Sequence, residues 1–197
     1  MKKFISLLLV CILLVTLSAC SSTKLSLEHN FNDEYTVTVE YSDNFKLNDE
    51  YVKVTASKGD IPDSNITIYD GEQLLAKVII YDGKNNSTDM YSERIAQIKQ
   101  YADPNREKTP AEQYNTWKIL EDKTASSPAS FFAQYDSDGR ENENLKDSDR
   151  ILKTSYVYLE KIDAENDIAI YIVSEINIGE KVMKNIIKNI KFSVVKK

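Results

Sequence analysis

Two runs of aliphatic and β-branched residues, NITIY at 65–69 and QLLAKVIIY at 73–81, constrain the fold more than any other feature. Such residues fit a pleated, half-buried surface. Asp70-Gly71 between them signals a two-residue hairpin, because glycine accepts the positive φ that tight hairpin turns need. A second Asp-Gly at 82–83 closes the later strand. The same signature recurs along the chain. YTVTVEY (35–41) and YVKVTA (51–56) alternate with period two and predict strands. WKILE (117–121) and SFFAQY (130–135) predict strands around a loop containing Pro128. TSYVYLEKI (154–162) and DIAIYIVSEI (167–176) predict a hairpin through the short turn DAEN.

Two segments change period. In STDMYSERIAQIKQYADP (87–104), Tyr91, Ile95, Ile98 and Ala102 recur at helical spacing, and Pro104 stops the run. Ser87 and Thr88 are candidate caps, with Asp89 in the first turn. EKVMKNIIKNIKF (180–192) is amphipathic: Val182, Met183, Ile186, Ile187 and Ile190 share one face, and Lys181, Lys184, Lys188 and Lys191 the other. The order is strands, helix, strands, helix, which predicts an α+β domain with an antiparallel sheet and helices packed on it. No repeat or Pro-rich or Ser-rich linker divides it.

The first residues obey other rules. Lys2 and Lys3 precede FISLLLVCILLVTL, residues 4–17, which carries no charge. As a helix this run spans about 21 Å, short of a roughly 30 Å hydrocarbon core, so it reads as the apolar region of a signal peptide. Leu17-Ser18-Ala19-Cys20 then resembles the lipobox of bacterial lipoproteins. That resemblance implies that the Cys20 thiol takes a diacylglyceryl group, that residues 1–19 are removed, and that the protein is held at the extracytoplasmic face of the cell membrane. Two acyl chains anchor firmly where one holds only marginally. Residues 20–32 then read as the lipidated cysteine and a short tether, and 33–197 as a single domain.

Without residues 1–19, 178 of the 197 residues remain, enough for one core. Lys2 and Lys3 leave with the leader, taking the formal charge from −6 to −8. A net acidic domain with scattered charges is a poor nucleic-acid binder. Cys11 also leaves and Cys20 is acylated, so core packing must hold the fold without a disulfide.

The late hairpin of long strands followed by an amphipathic helix ending N-I-K-F is similar to the Mog1/PsbP-like family of α/β/α sandwiches. The mid-chain helix after the early hairpin fits that order, over roughly residues 33–195. The resemblance implies a non-catalytic binding or assembly domain, of a kind often carried by bacterial lipoproteins. It transfers no functional residue.

Catalytic and metal chemistry find little support in the residues. His29 is the one histidine and lies close to the anchor, too near the tether to be preorganised as a base. Ser21-Ser22-Thr23-Lys24 matches S-x-x-K only as letters. The chain is read as non-enzymatic, with no cofactor. One histidine and no free cysteine oppose a structural zinc site. Asp136-Ser137-Asp138-Gly139 is like a calcium loop, but Gly139 at the sixth position puts Gln134 first and Leu145 twelfth, so two main carboxylates are missing. A solvated polar loop over 136–150 is the preferred reading. The lysine face of the last helix could lie on lipid headgroups or anionic wall polymer, but a solvated face over an apolar stripe is the preferred reading. Tyr156, Tyr158 and Tyr171 alternate on strands and are the candidate partner-binding residues, against the plainer reading of sheet packing. The expected role is a membrane-anchored binding or assembly module for a protein partner; the alternative is a small-ligand or ion-binding lipoprotein.

Overall fold

The computed structural model describes residues 22–29, 35–58, 64–83, 89–109, 112, 115–137 and 152–197. Among them the fold is mixed α+β, with eleven strands and two helices. In chain order the first six strands are β1 (Ser22–His29), β2 (Tyr35–Ser42), β3 (Lys46–Leu47), β4 (Glu50–Lys58), β5 (Ser64–Asp70) and β6 (Gln73–Asp82). Helix α1 (Met90–Ala102) follows, then β7 (Asn115–Lys123), β8 (Ser130–Ser137), β9 (Lys153–Asp163) and β10 (Ile168–Ser174). Helix α2 (Glu180–Asn189) runs directly into β11 (Ile190–Lys196).

The strands form two antiparallel sheets. One has three strands in the order β1-β2-β11; the other has eight, in the order β3-β4-β5-β6-β10-β9-β8-β7. The predicted hairpins supply the second sheet. In the first of them Asp70 pairs with Gln73, so the two loop residues are Gly71 and Glu72. Gly71 takes φ +57° there, the left-handed region that L side chains resist.

Period-two alternation sorts side chains to two faces, and each face has its own core. On β10, Ile168, Ile170 and Ile172 point one way and join Val78 and Ile80 of β6 and Phe132 of β8. Met183 and Ile186 of α2 and Val37 and Val39 of the small sheet cover this face. Ala169 and Tyr171 point the other way and join Phe131, Ala133, Val157 and Leu159, covered by Tyr91, Ile95 and Ile98 of α1. The helices therefore lie on opposite faces of the large sheet.

Several boundaries differ from the sequence reading. The stretch read as a tether within 20–32 contains β1, which pairs with β2 from Ser22↔Ser42 to His29↔Tyr35. The last helix, read through Phe192, stops at Asn189, and Ile190–Lys196 form β11 along β2. Of its predicted apolar face, Met183 and Ile186 are buried, and Ile190 is buried as the first residue of the strand. Asp89, read as a first-turn acid, is the N-cap of α1: its side chain accepts the Ser92 N–H at 3.1 Å. The alternative caps Ser87 and Thr88 lie outside the described residues, as do residues 1–21 with the lipobox and Cys20. Among the described residues, no helix is long and apolar enough to cross a membrane.

Candidate functional site

Helix α1 packs across the large sheet. Its Arg94 meets Tyr171 of β10, and five residues later the Lys99 ammonium pairs with Asp122 of β7 at 2.6 Å. That pairing, reinforced by Thr124, holds the Asp122 carboxyl at about 2, well below its ordinary 3.8. Tyr91 closes the other end. Burial first, then the nearby carboxylates Glu160, Asp122 and Asp89, push its hydroxyl up to about 12. Between α1, the segment after it and the sheet lies a cavity of about 430 Å³.

The floor of the cavity follows from strand register. Trp117 of β7 stands opposite Tyr135 of β8, and Tyr135 opposite Ser155 of β9. The Trp117 and Tyr135 rings lie 4.8 Å apart at their centroids, tilted by 41°. Val157, Val173 and Tyr171 continue the floor, and Tyr101 and Arg94 of α1 form a wall. The wall opposite is the segment after α1. Asp103 turns the chain out of the helix by accepting the Asn105 N–H at 2.9 Å. Arg106 then folds back, its guanidinium 4.5 Å from the Tyr101 ring centroid and 2.8 Å from the Glu112 carboxylate. Thr109-x-x-Glu112 is a reciprocal turn: the Glu112 carboxylate accepts the Thr109 N–H and hydroxyl, and the Glu112 N–H bonds the Thr109 carbonyl.

These bonds fix the charge of Glu112. Arg106 first, then Thr109, depress its carboxyl from 4.5 to about 2. A depressed carboxyl stabilises the fold above its unfolded value and loses that contribution as pH falls through the folded one. The clamp should therefore be fully formed above 4.5 and open only as pH approaches 2. Carboxyl-carbon NMR of Glu112 should titrate near 2 in the native chain and move back toward 4.5 in Arg106→Gln. A midpoint near 4.5 in both would mean that the clamp does not form.

The polar inventory of the cavity is uneven. Arg94 donates to Gln97 Oε1 at 2.8 Å and to the Tyr171 hydroxyl at 3.2 Å, both neutral acceptors. Lys108 donates to the Asn115 carbonyl at 3.5 Å. Among the described residues, neither cation has a carboxylate partner. Asn115 Oδ1 is buried and accepts no hydrogen bond from the described residues. An acceptor in that position costs free energy until a donor reaches it.

The tyrosines singled out from the sequence do not make one surface. Tyr156 and Tyr171 are each only 6 % exposed and lie in the cores on opposite faces of the sheet. Tyr156 and Tyr158 share the α2 face, as period two requires. Tyr158 is partly buried and donates to Glu160 Oε2 at 2.8 Å, and burial followed by Glu160 pushes its hydroxyl well above the ordinary value. Tyr156 and Tyr158 thus pack on the α2 face, Tyr156 buried and Tyr158 partly so. Tyr171 alone reaches a site, through its hydroxyl at the cavity. Asp136 of the polar loop belongs to β8, where Gln134 and Thr154 donate to its carboxylate. Asp138, Gly139 and Leu145 lie outside the described residues. Among the described residues, no group of three or more His, Cys, Asp or Glu is placed to hold a metal ion.

Sequence reasoning passed over Arg94, Tyr101, Arg106, Glu112, Asn115 and Tyr135. Two local signals were available: the Thr109-x-x-Glu112 spacing, and Trp117 as the one tryptophan in the chain. Neither shows which residues converge, because convergence depends on the pairing of β7, β8 and β9. Comparison with protein-family models, with curated proteins and with solved structures finds no match to this chain.

Proposed function

We propose that the chain is a non-catalytic binding lipoprotein, anchored through Cys20 at the extracytoplasmic face of the membrane, whose cavity under α1 holds a small ligand. The observation that carries this reading is the cavity itself: about 430 Å³, aromatic on its floor, with a few polar groups converging on it. That is the size and chemistry of a small-molecule site. The burial of Tyr156 and Tyr171 moves weight from a protein partner held on a tyrosine face to the small-ligand alternative. A Mog1/PsbP-like sandwich remains the proposed fold family, supported by helices on opposite faces of one antiparallel sheet. The anchor rests on the order of basic start, apolar run, small residues and cysteine in residues 1–20. With strand β1 beginning at Ser22, an acylated Cys20 would hold the domain against the headgroups.

One set of preparations tests both halves. The native chain should fractionate with membranes, and Cys20→Ala should leave them. Protein recovered from membranes should carry a discrete non-covalent mass in native mass spectrometry, and Ser155→Trp, which fills the cavity floor, should lose it. Equal membrane retention of Cys20→Ala would remove the lipid anchor. No bound mass, or the same mass on Ser155→Trp, would remove the cavity as the binding site.

A further inference from the structure

The charge around the cavity runs against the charge of the chain. The whole sequence carries −6, yet the cavity is lined by three cations, Arg94, Arg106 and Lys108, and one carboxylate, Glu112. Arg106 and Glu112 neutralise each other at 2.8 Å. Among the described residues two positive charges remain without a carboxylate, and they flank a floor made by Trp117 and Tyr135. Arg94 is the better placed of the two. Its neutral partners, Gln97 and Tyr171, fix the direction of the guanidinium without cancelling its charge. Lodged over the Tyr171 ring at 5.5 Å, it presents a planar fork whose remaining donors suit a carboxylate or similar oxyanion.

We infer, resting on the small-ligand reading above, that the cavity selects organic acids: a flat apolar body stacked on Trp117 and Tyr135, with its acidic group on Arg94. Each wall argues for one part of this. The tilted indole–phenol pair gives an aromatic face to a planar body. The half-buried guanidinium, held by neutral partners, gives a counter-ion at the cavity wall for an acidic group. Organic cations are disfavoured by Arg94 and Lys108. The free acceptor Asn115 Oδ1 favours a ligand that also carries a hydroxyl or N–H donor.

Trp117, the one tryptophan of the chain, makes the test direct. The full chain on phosphatidylcholine vesicles is excited at the red edge of indole absorption and titrated with three probes of equal shape: biphenyl-4-ylacetate, 2-(biphenyl-4-yl)ethanol and 2-(biphenyl-4-yl)ethylamine. The acetate should change Trp117 emission saturably, with a Kd at least about tenfold below that of the alcohol, a factor within reach of one charge-assisted hydrogen bond. The amine should bind more weakly than either. Arg94→Gln should bring the acetate to the affinity of the alcohol while leaving the alcohol's affinity and the unfolding midpoint close to native. Arg94→Lys should keep the acetate ahead, by a smaller factor, since charge survives without the fork. Equal binding of acetate and alcohol, or an acetate preference untouched in Arg94→Gln, would overturn the acid selectivity and leave the cavity a ligand site. No saturable change with any probe would overturn both.

Discussion

A chain cut after Asn189, lacking Ile190–Lys197, should show no cooperative unfolding transition near the temperature of the full chain. The missing piece is β11, which pairs with β2 along its whole length from Ile190↔Tyr41 to Lys196↔Tyr35. Ile190 is buried, and Phe192 and Val194 pack against the core between the sheets. Burying side chains of this size is worth about 1.5–3 kcal/mol each, so the three together approach the roughly 5–15 kcal/mol that holds a whole domain. The loss extends further, because β2 carries Val37 and Val39, both fully buried against the large sheet. With one neighbour gone, β2 keeps only β1. Far-ultraviolet circular dichroism during heating reads the result. A sharp transition within a few degrees of the full chain would mean that the small sheet is an ornament on the large one.

Phe131→Ala should be the most damaging single truncation on the α1 face. The ring is fully buried, stands opposite Leu159 on the neighbouring strand, and has the Lys99 ammonium 5.8 Å from its centroid. Removing a buried phenyl ring costs about 3–5 kcal/mol, combining lost transfer energy with the void left behind. At roughly 2–4 °C per kcal/mol for a chain of this size, the midpoint should fall by about 6–20 °C. Ile119→Ala is the control: Ile119 on the outer strand is 37 % exposed and should shift stability by no more than about 0.5 kcal/mol. Urea titration with an unchanged slope would attribute the difference to stability alone. A cost for Phe131→Ala below about 1 kcal/mol would mean that α1 is not packed on this face.

The hairpins were legible because their signals are local. Asp70-Gly71 sits between two alternating runs, and the turn 163–166 between two more, so neighbouring strands could be paired from the sequence. Three elements escaped for identifiable reasons. In β11, Ile190 satisfies both periods at once: it extends the helical apolar stripe and begins the alternation Ile190, Phe192, Val194. The backbone turns there without Gly or Pro, changing to φ −111° and ψ 126° at Ile190 while its N–H still reaches the Ile186 carbonyl. In β1, STKLSLEH alternates only weakly, and its nearness to the lipobox-like Leu17-Ser18-Ala19-Cys20 suggested a tether. β3 is two residues long, below any pattern.

The cavity was less legible still. Its lining comes from α1, the turn after it and the four consecutive strands β7 to β10, and which face of those strands the helix covers is not written in any one of them. The tyrosines drew attention because they sit on strongly alternating strands, and strong alternation is what buries a residue. Trp117, on the weakly patterned outer strand, is where an aromatic side chain stays half open.

β10 has β6 on one side and β9 on the other, and its side chains serve both cores. Its backbone amides are sheltered from solvent along both edges and both faces, so they can exchange with deuterium only when the sheet as a whole opens. Such a strand has no private breathing motion. It ties the α1 side, with the cavity, to the α2 side and the small sheet, so a ligand seated against Tyr171 and Val173 would quiet the far core as much as the near one.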